Sequence, residues 1–218
     1  MNYKHFSQVY TDESQFLREK LQLFFDKAFN QEDETKLRSY YKSLRELDFS
    51  TALDFSPEII DISYLCENIT SAFDVFASHN GKSFIYCGNP TCFVYGNHRF
   101  IAKALLNLLS NAYLYATNSL VTVKTIESQD FVKIEVQSGG IFPLNNIDKK
   151  GLTFVRKICN ALNGRFLIES RHNSTNAIMC FKKGSHLPDK RYEQYNFSNL
   201  LSNRLSPVYV EIFGMSYH

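Results

Sequence analysis

The chain has 218 residues, 44% of them hydrophobic, enough to bury a sizeable core and to exclude a largely disordered protein. Its 24 Lys and Arg nearly balance 22 Asp and Glu, for a net charge of +2 at pH 7, so no strong field favours nucleic acid or an anionic membrane as partner. The opening MNYKHFSQVYTDESQ lacks the apolar core of a signal peptide and no apolar run is long enough to span a bilayer, which leads us to expect a cytoplasmic protein with no membrane or nucleic-acid partner.

Residues 12–29 place Leu17, Leu21, Phe24 and Ala28 at helical spacing, and residues 33–48 do the same with Leu37, Tyr40, Leu44 and Leu47. The short Asn30-Gln31-Glu32 connection predicts an antiparallel helical hairpin over residues 1–50, too small to hold a core of its own. It must pack on the rest of the chain or on a second copy, and its wide apolar faces favour a homodimer. After Ser56-Pro57, a helix is expected over 61–79 with Asp61 or Ser63 as its cap, closed by Asn80-Gly81. Two β-rich runs follow, 83–87 and 92–95, and the turn chemistry of Gly88-Asn89-Pro90 between them predicts a hairpin or a pair of sheet strands.

Residues 98–117 read as a helix apolar on nearly every side, which in a water-soluble chain requires burial. Alternating Val121, Val123, Val132, Ile134 and Val136 mark strands at 120–126 and 131–137. A helix over 151–163, stopped by Asn163-Gly164, and strands at 165–169 and 177–182 complete the pattern. The expected fold class is α+β: a two-layer α/β sandwich with a mixed, largely antiparallel sheet and three helices over 57–183, preceded by the hairpin. The tail, 184–218, is polar until Ser206-Pro207, after which Val208-Tyr209-Val210-Glu211-Ile212-Phe213 reads as one extra strand. The five cysteines, Cys66, Cys87, Cys92, Cys159 and Cys180, have neither zinc nor redox spacing and are expected to be buried reduced thiols.

Within the helix at 98–117, Asn107-Leu-Leu-Ser-Asn111-Ala-Tyr-Leu-Tyr115 resembles the asparagine box, N-L-x-x-N-A-x-K-Y, of the histidine kinase-like ATPase superfamily that also holds gyrase and MutL. Three other segments resemble that family in the same order: Pro57 to Glu67 at its first helix, Ser138-Gly139-Gly140-Ile141 at its D-x-G-x-G-I box, and Gly151 to Gly164 at its second glycine box and following helix. The resemblance implies a site for ATP and Mg²⁺, with Asn107 on the metal and phosphates, Asn111 and Tyr115 on the nucleotide, and Gly139, Gly140 and Gly151 in the glycine boxes. This chain also departs from the family. Gln137 or Ser138 stands where an aspartate would accept from adenine, Leu114 replaces the lysine, Gly151 alone remains of the second box's glycines, and helix 12–29 carries no histidine to receive a phosphoryl group.

These losses lead us to expect weak or absent nucleotide binding and no catalytic residue. The expected function is a two-component-type signalling protein with a degenerate ATP-binding domain, working mainly through protein–protein contacts, with a response-regulator receiver domain as partner. Tyr40 and Tyr41, flanked by Arg38, Lys42 and Arg45, are either aromatic anchors for that partner or filling for the hairpin seam. The alternatives are an active histidine or anti-sigma-type serine kinase, and a histidine phosphotransferase.

Overall fold

The computed structural model describes residues 38, 39, 41–43, 45, 58–140, 149–184, 195–204 and 206–215. The proposed helix at 12–29 lies outside them, as do the connection to its partner and the loop at 141–148. The described residues between 38 and 45 are helical, as the spacing of that region predicts.

Strand β1 (Glu58–Asp61) leads directly into helix α1 (Ile62–Ala77), where Asp61 Oδ1 accepts from the Tyr64 N–H at 3.0 Å. That satisfies one of the unpaired donors every helix start carries. Strands β2 (Ser83–Tyr86) and β3 (Phe93–Gly96) do not form a hairpin with each other: β2 pairs parallel with β4 (Leu120–Glu127), and β3 pairs antiparallel with β1. Between β3 and β4 runs helix α2 (His98–Tyr115), capped by Asn97, whose Oδ1 accepts from Phe100 N–H at 3.2 Å. Then follow β5 (Phe131–Gly139), helix α3 (Lys149–Ala161), β6 (Arg165–Arg171) and β7 (Ser174–Lys182).

The main sheet has the order β2-β4-β5-β7-β6 and is antiparallel except at β2-β4. The inward residues of its central strands, among them Val121, Val123, Val132, Ile134, Met179 and Phe181, are almost fully buried beneath α1, α2 and α3. This is the expected mixed, largely antiparallel sandwich.

The tail corrects the extra strand. Residues 208–213 lie in helix α5 (Pro207–Phe213), preceded by the short α4 (Phe197–Ser202). Ser206 caps α5 and Pro207 occupies its first turn, where the missing proline N–H costs nothing. Both helices pack on the α-layer rather than on the sheet. Asn68 of α1 accepts from Phe197 N–H at 2.8 Å, and Phe76 of α1 meets Tyr209 and Phe213 edge-on at 5.0 and 5.9 Å. Helix α2 is thus covered on two sides, which accounts for its apolar composition. His98 at its start holds Glu58 at 2.6 Å and stands edge-on to Tyr195.

The cysteines are all free, and Cys66, Cys92 and Cys159 are buried as expected; burial pushes the Cys159 thiol up to about 12. Cys87 is exposed instead, because it lies just past the end of β2.

Candidate functional site

Two faces of α2 carry the residues singled out in the sequence. At 3.6 residues per turn, Lys103, Asn107 and Ser110 share one face while Leu108 and Ala112 lie on another. The second face closes a recess against Val136 and Ser138 of β5, Leu152 of α3, Ile168 of β6, and Thr175 and Ala177 of β7. This recess encloses about 10 Å³, space for a single water. Its lining is apolar apart from the hydroxyls of Ser138 and Thr175.

Strand alternation separates the two candidates for the aspartate position: Gln137 is exposed, whereas Ser138 points inward and is 4% exposed, so it is the Ser138 hydroxyl that faces the recess. Next to it the two glycines have their backbone groups engaged. Gly139 donates its N–H to Asn118 Oδ1 at 2.8 Å and accepts from Thr117 N–H at 3.1 Å. Gly140, with φ of +92°, donates to Asn173 O at 2.7 Å and accepts from the Thr175 hydroxyl at 2.8 Å. A side chain at Gly140 would be strained by that φ and would also press its Cβ to 2.9 Å from Thr117 Cγ2. Gly151 is buried in the first turn of α3, beside Leu152 of the recess.

Of the asparagine-box residues, Asn111 is 4% exposed and Tyr115 is half-buried at the end of α2. Asn107 is 1% exposed; its Nδ2 donates to Lys103 O at 2.8 Å, while its Oδ1 is buried with no hydrogen-bond partner among the described residues.

Sequence reasoning missed the group that sits on the Asn107 face of α2. Glu211 of α5, fully buried, places Oε2 at 3.1 Å from Lys103 Nζ and Oε1 at 2.6 Å from Ser110 Oγ. The same Oε1 accepts from Arg45 Nε at 3.0 Å and lies 2.9 Å from Arg45 Nη2. Burial alone would raise the Glu211 carboxyl. The Lys103 and Arg45 charges, with hydrogen bonds from Ser110 and Arg45, outweigh it and hold the carboxyl down at about 2. A lysine in a helix otherwise built for burial was the available signal, because such a charge needs a counter-ion.

Tyr41 is buried as well, 6% exposed, with its ring 5.5 Å from that of Phe213. It is therefore no exposed aromatic anchor. Its seam includes the C-terminal helix, and Tyr40 lies outside the described residues.

Among the described residues, the recess beside α2 offers hydroxyls where the resemblance implies a carboxylate for ATP. Next to it the Gly139 and Gly140 amides already have protein acceptors. Among the described residues no His, Cys, Asp and Glu cluster could hold a metal.

The mixed, largely antiparallel sheet under three helices is that of the histidine kinase-like ATPase fold. No protein-family model and no curated protein matches the chain. Among solved structures, the nucleotide-free catalytic domain of the histidine kinase ThkA is similar with a TM-score of 0.52 and 20% identity, over 60% of this chain and 98% of that one. Histidine kinase AdeS of Acinetobacter baumannii aligns with a TM-score of 0.53 and 18% identity, over 78% and 95%. ThkA in complex with the response regulator protein TrrA aligns with a TM-score of 0.57 and 15% identity, over 84% and 62%.

Proposed function

We propose that this is a two-component-type signalling protein whose ATP-binding domain is degenerate and which acts mainly through protein–protein contact, in the cytoplasm and as a homodimer joined through its N-terminal hairpin. The observation that supports the reading is the inward-facing hydroxyl of Ser138 where the resemblance implies a carboxylate, with the neighbouring glycine amides engaged by protein acceptors. Losing a charged hydrogen-bond partner costs about 1.5–3 kcal/mol, or about ten- to a hundredfold in affinity. Nucleotide contacts through Asn107, Asn111, Tyr115, Gly139, Gly140 and Gly151, with Mg²⁺ on Asn107, would then be weak or absent.

A response-regulator receiver domain is the partner we favour, since ThkA, which shares the fold, is seen with a response regulator. Calorimetric titration with Mg-ATP tests the central claim: no saturation is expected below the millimolar range, and micromolar binding abolished by Asn107→Ala would overturn it. Light scattering checks the dimer, which Leu44→Glu should split.

A second reading, an active kinase, is favoured by one observation. The buried Oδ1 of Asn107 has no partner among the described residues, and a polar ligand would satisfy it. Transfer of the ATP γ-phosphoryl group to the protein itself, lost in Asn107→Ala, is the result that would select that reading. No histidine lies between residues 12 and 48 to serve a histidine phosphotransferase.

A further inference from the structure

Three independent contacts fasten the helical residues 41–43 and 45 to α5 and the glycine that follows it. Arg45 reaches Glu211 Oε1 with both Nε and Nη2. The Tyr41 ring lies against Phe213, which stacks on Tyr209 at 5.5 Å and meets Phe76 of α1 edge-on. The backbones also approach closely, since a Cβ on Gly214 would lie 2.6 Å from Val210 O, 2.9 Å from Tyr41 O and 3.1 Å from Arg45 Cβ, so a side chain there forces a neighbour to shift.

Glu211 does not serve Arg45 alone. Its other oxygen holds Lys103, and Ser110 bonds the oxygen Arg45 uses. Lys103 is one turn before Asn107, and its carbonyl holds the Asn107 amide. Withdrawing Arg45 would leave the buried carboxylate with a single cation, an arrangement a dry interior penalises. The seating of residues 41–45 and the polar face of α2 are therefore energetically linked, and such linkage acts in both directions.

We propose that residues 206–215 are a latch that fixes the helix bearing Tyr41 and Arg45 to α2, so that this helix and the ATPase-fold domain move as one body and release of the helix is felt at Asn107. The latch needs no nucleotide, and its test is made without one, so it stands or falls separately from the nucleotide reading.

Hydrogen exchange of the full chain, followed by NMR at the Tyr41, Lys42 and Ser43 amides, tests it against the β5 and β7 amides as internal reference. In Arg45→Met and in Gly214→Val, exchange at residues 41–43 should accelerate by about tenfold or more beyond any change in the strands. Unchanged exchange at 41–43 in both variants overturns the latch, as does unprotected exchange there in the unmodified chain. Should Gly214→Val lose strand protection as well, Arg45→Met, which leaves the Glu211–Lys103 pair in place, decides alone.

Discussion

The two faces of α2 are buried to the same degree by different physics. Toward the sheet, Leu108 and Ala112 meet Val136 and Ala177 in a dry contact decided by volume. Toward α5, Lys103 and Ser110 meet Glu211 in a contact decided by charge. An apolar face tolerates a change of shape that keeps its volume, whereas an ionic one tolerates only changes that keep its pairing.

The largest effect should come from breaking the charged face. Lys103→Met leaves Glu211 buried with only Arg45 as cation and should cost about 3–5 kcal/mol in urea denaturation. Adding Glu211→Met should restore part of that loss, and a double variant no more stable than the single one would show that the pair is not the source. Acid sharpens the same point. Because the folded carboxyl of Glu211 is held at about 2, below its ordinary value, its stabilisation is complete above roughly pH 4.5 and is lost as pH falls toward 2. The groups facing it are Lys103 of α2 and Arg45, both cations throughout that window. Circular dichroism of the unmodified chain should therefore show a steeper acid transition between those values than Glu211→Gln does.

On the dry face, Leu108→Ala should cost about 3 kcal/mol and Leu108→Met less than about 1.5 kcal/mol, with chemical denaturation as the check. If Leu108→Met were the more damaging of the two, volume would not govern that face. An effect smaller than that of Leu108→Ala is expected from Ser138→Asp, which puts an unpartnered carboxylate into the recess and should cost about 2 kcal/mol. Millimolar Mg-ATP should leave the melting temperature of that variant unchanged. A clear rise would mean that a single residue closes the site.

The sandwich was legible because its elements are long and regular: the alternation in 120–137 and the run 98–115 override local ambiguity. The shorter pieces were not. Glu58-Ile59-Ile60-Asp61 carries too few residues to show a strand period, and it reads as the approach to α1. Strands β2 and β3 look like two arms of a hairpin because Gly88-Asn89-Pro90 is turn chemistry, yet β2 finds a parallel partner in β4 and β3 pairs with β1. In α5 the β-branched and aromatic run 208–213 favours a strand locally. Packing on α1 and α2 overrides that propensity, and the Ser206-Pro207 pair was the overlooked start signal. For the site, the motif spacing located Asn107, Asn111 and the glycines. It could not reveal that the Gly139 and Gly140 amides are engaged by Asn118 and Asn173, partners that only the folded chain brings together.

The Arg45–Glu211 bridge joins residues 166 positions apart in the chain. Closing so long a loop costs entropy before any contact repays it, whereas the β4-β5 hairpin closes over a few residues. Formation of the bridge is thus expected late in folding, after the rate-limiting barrier, and its loss should be felt on the way out. In stopped-flow measurements Arg45→Met should speed unfolding and leave refolding near its original rate, while a slowed refolding limb would place this contact in the folding nucleus instead. How long the protein persists against proteolysis or thermal inactivation would then depend on a contact that contributes little to how fast it folds.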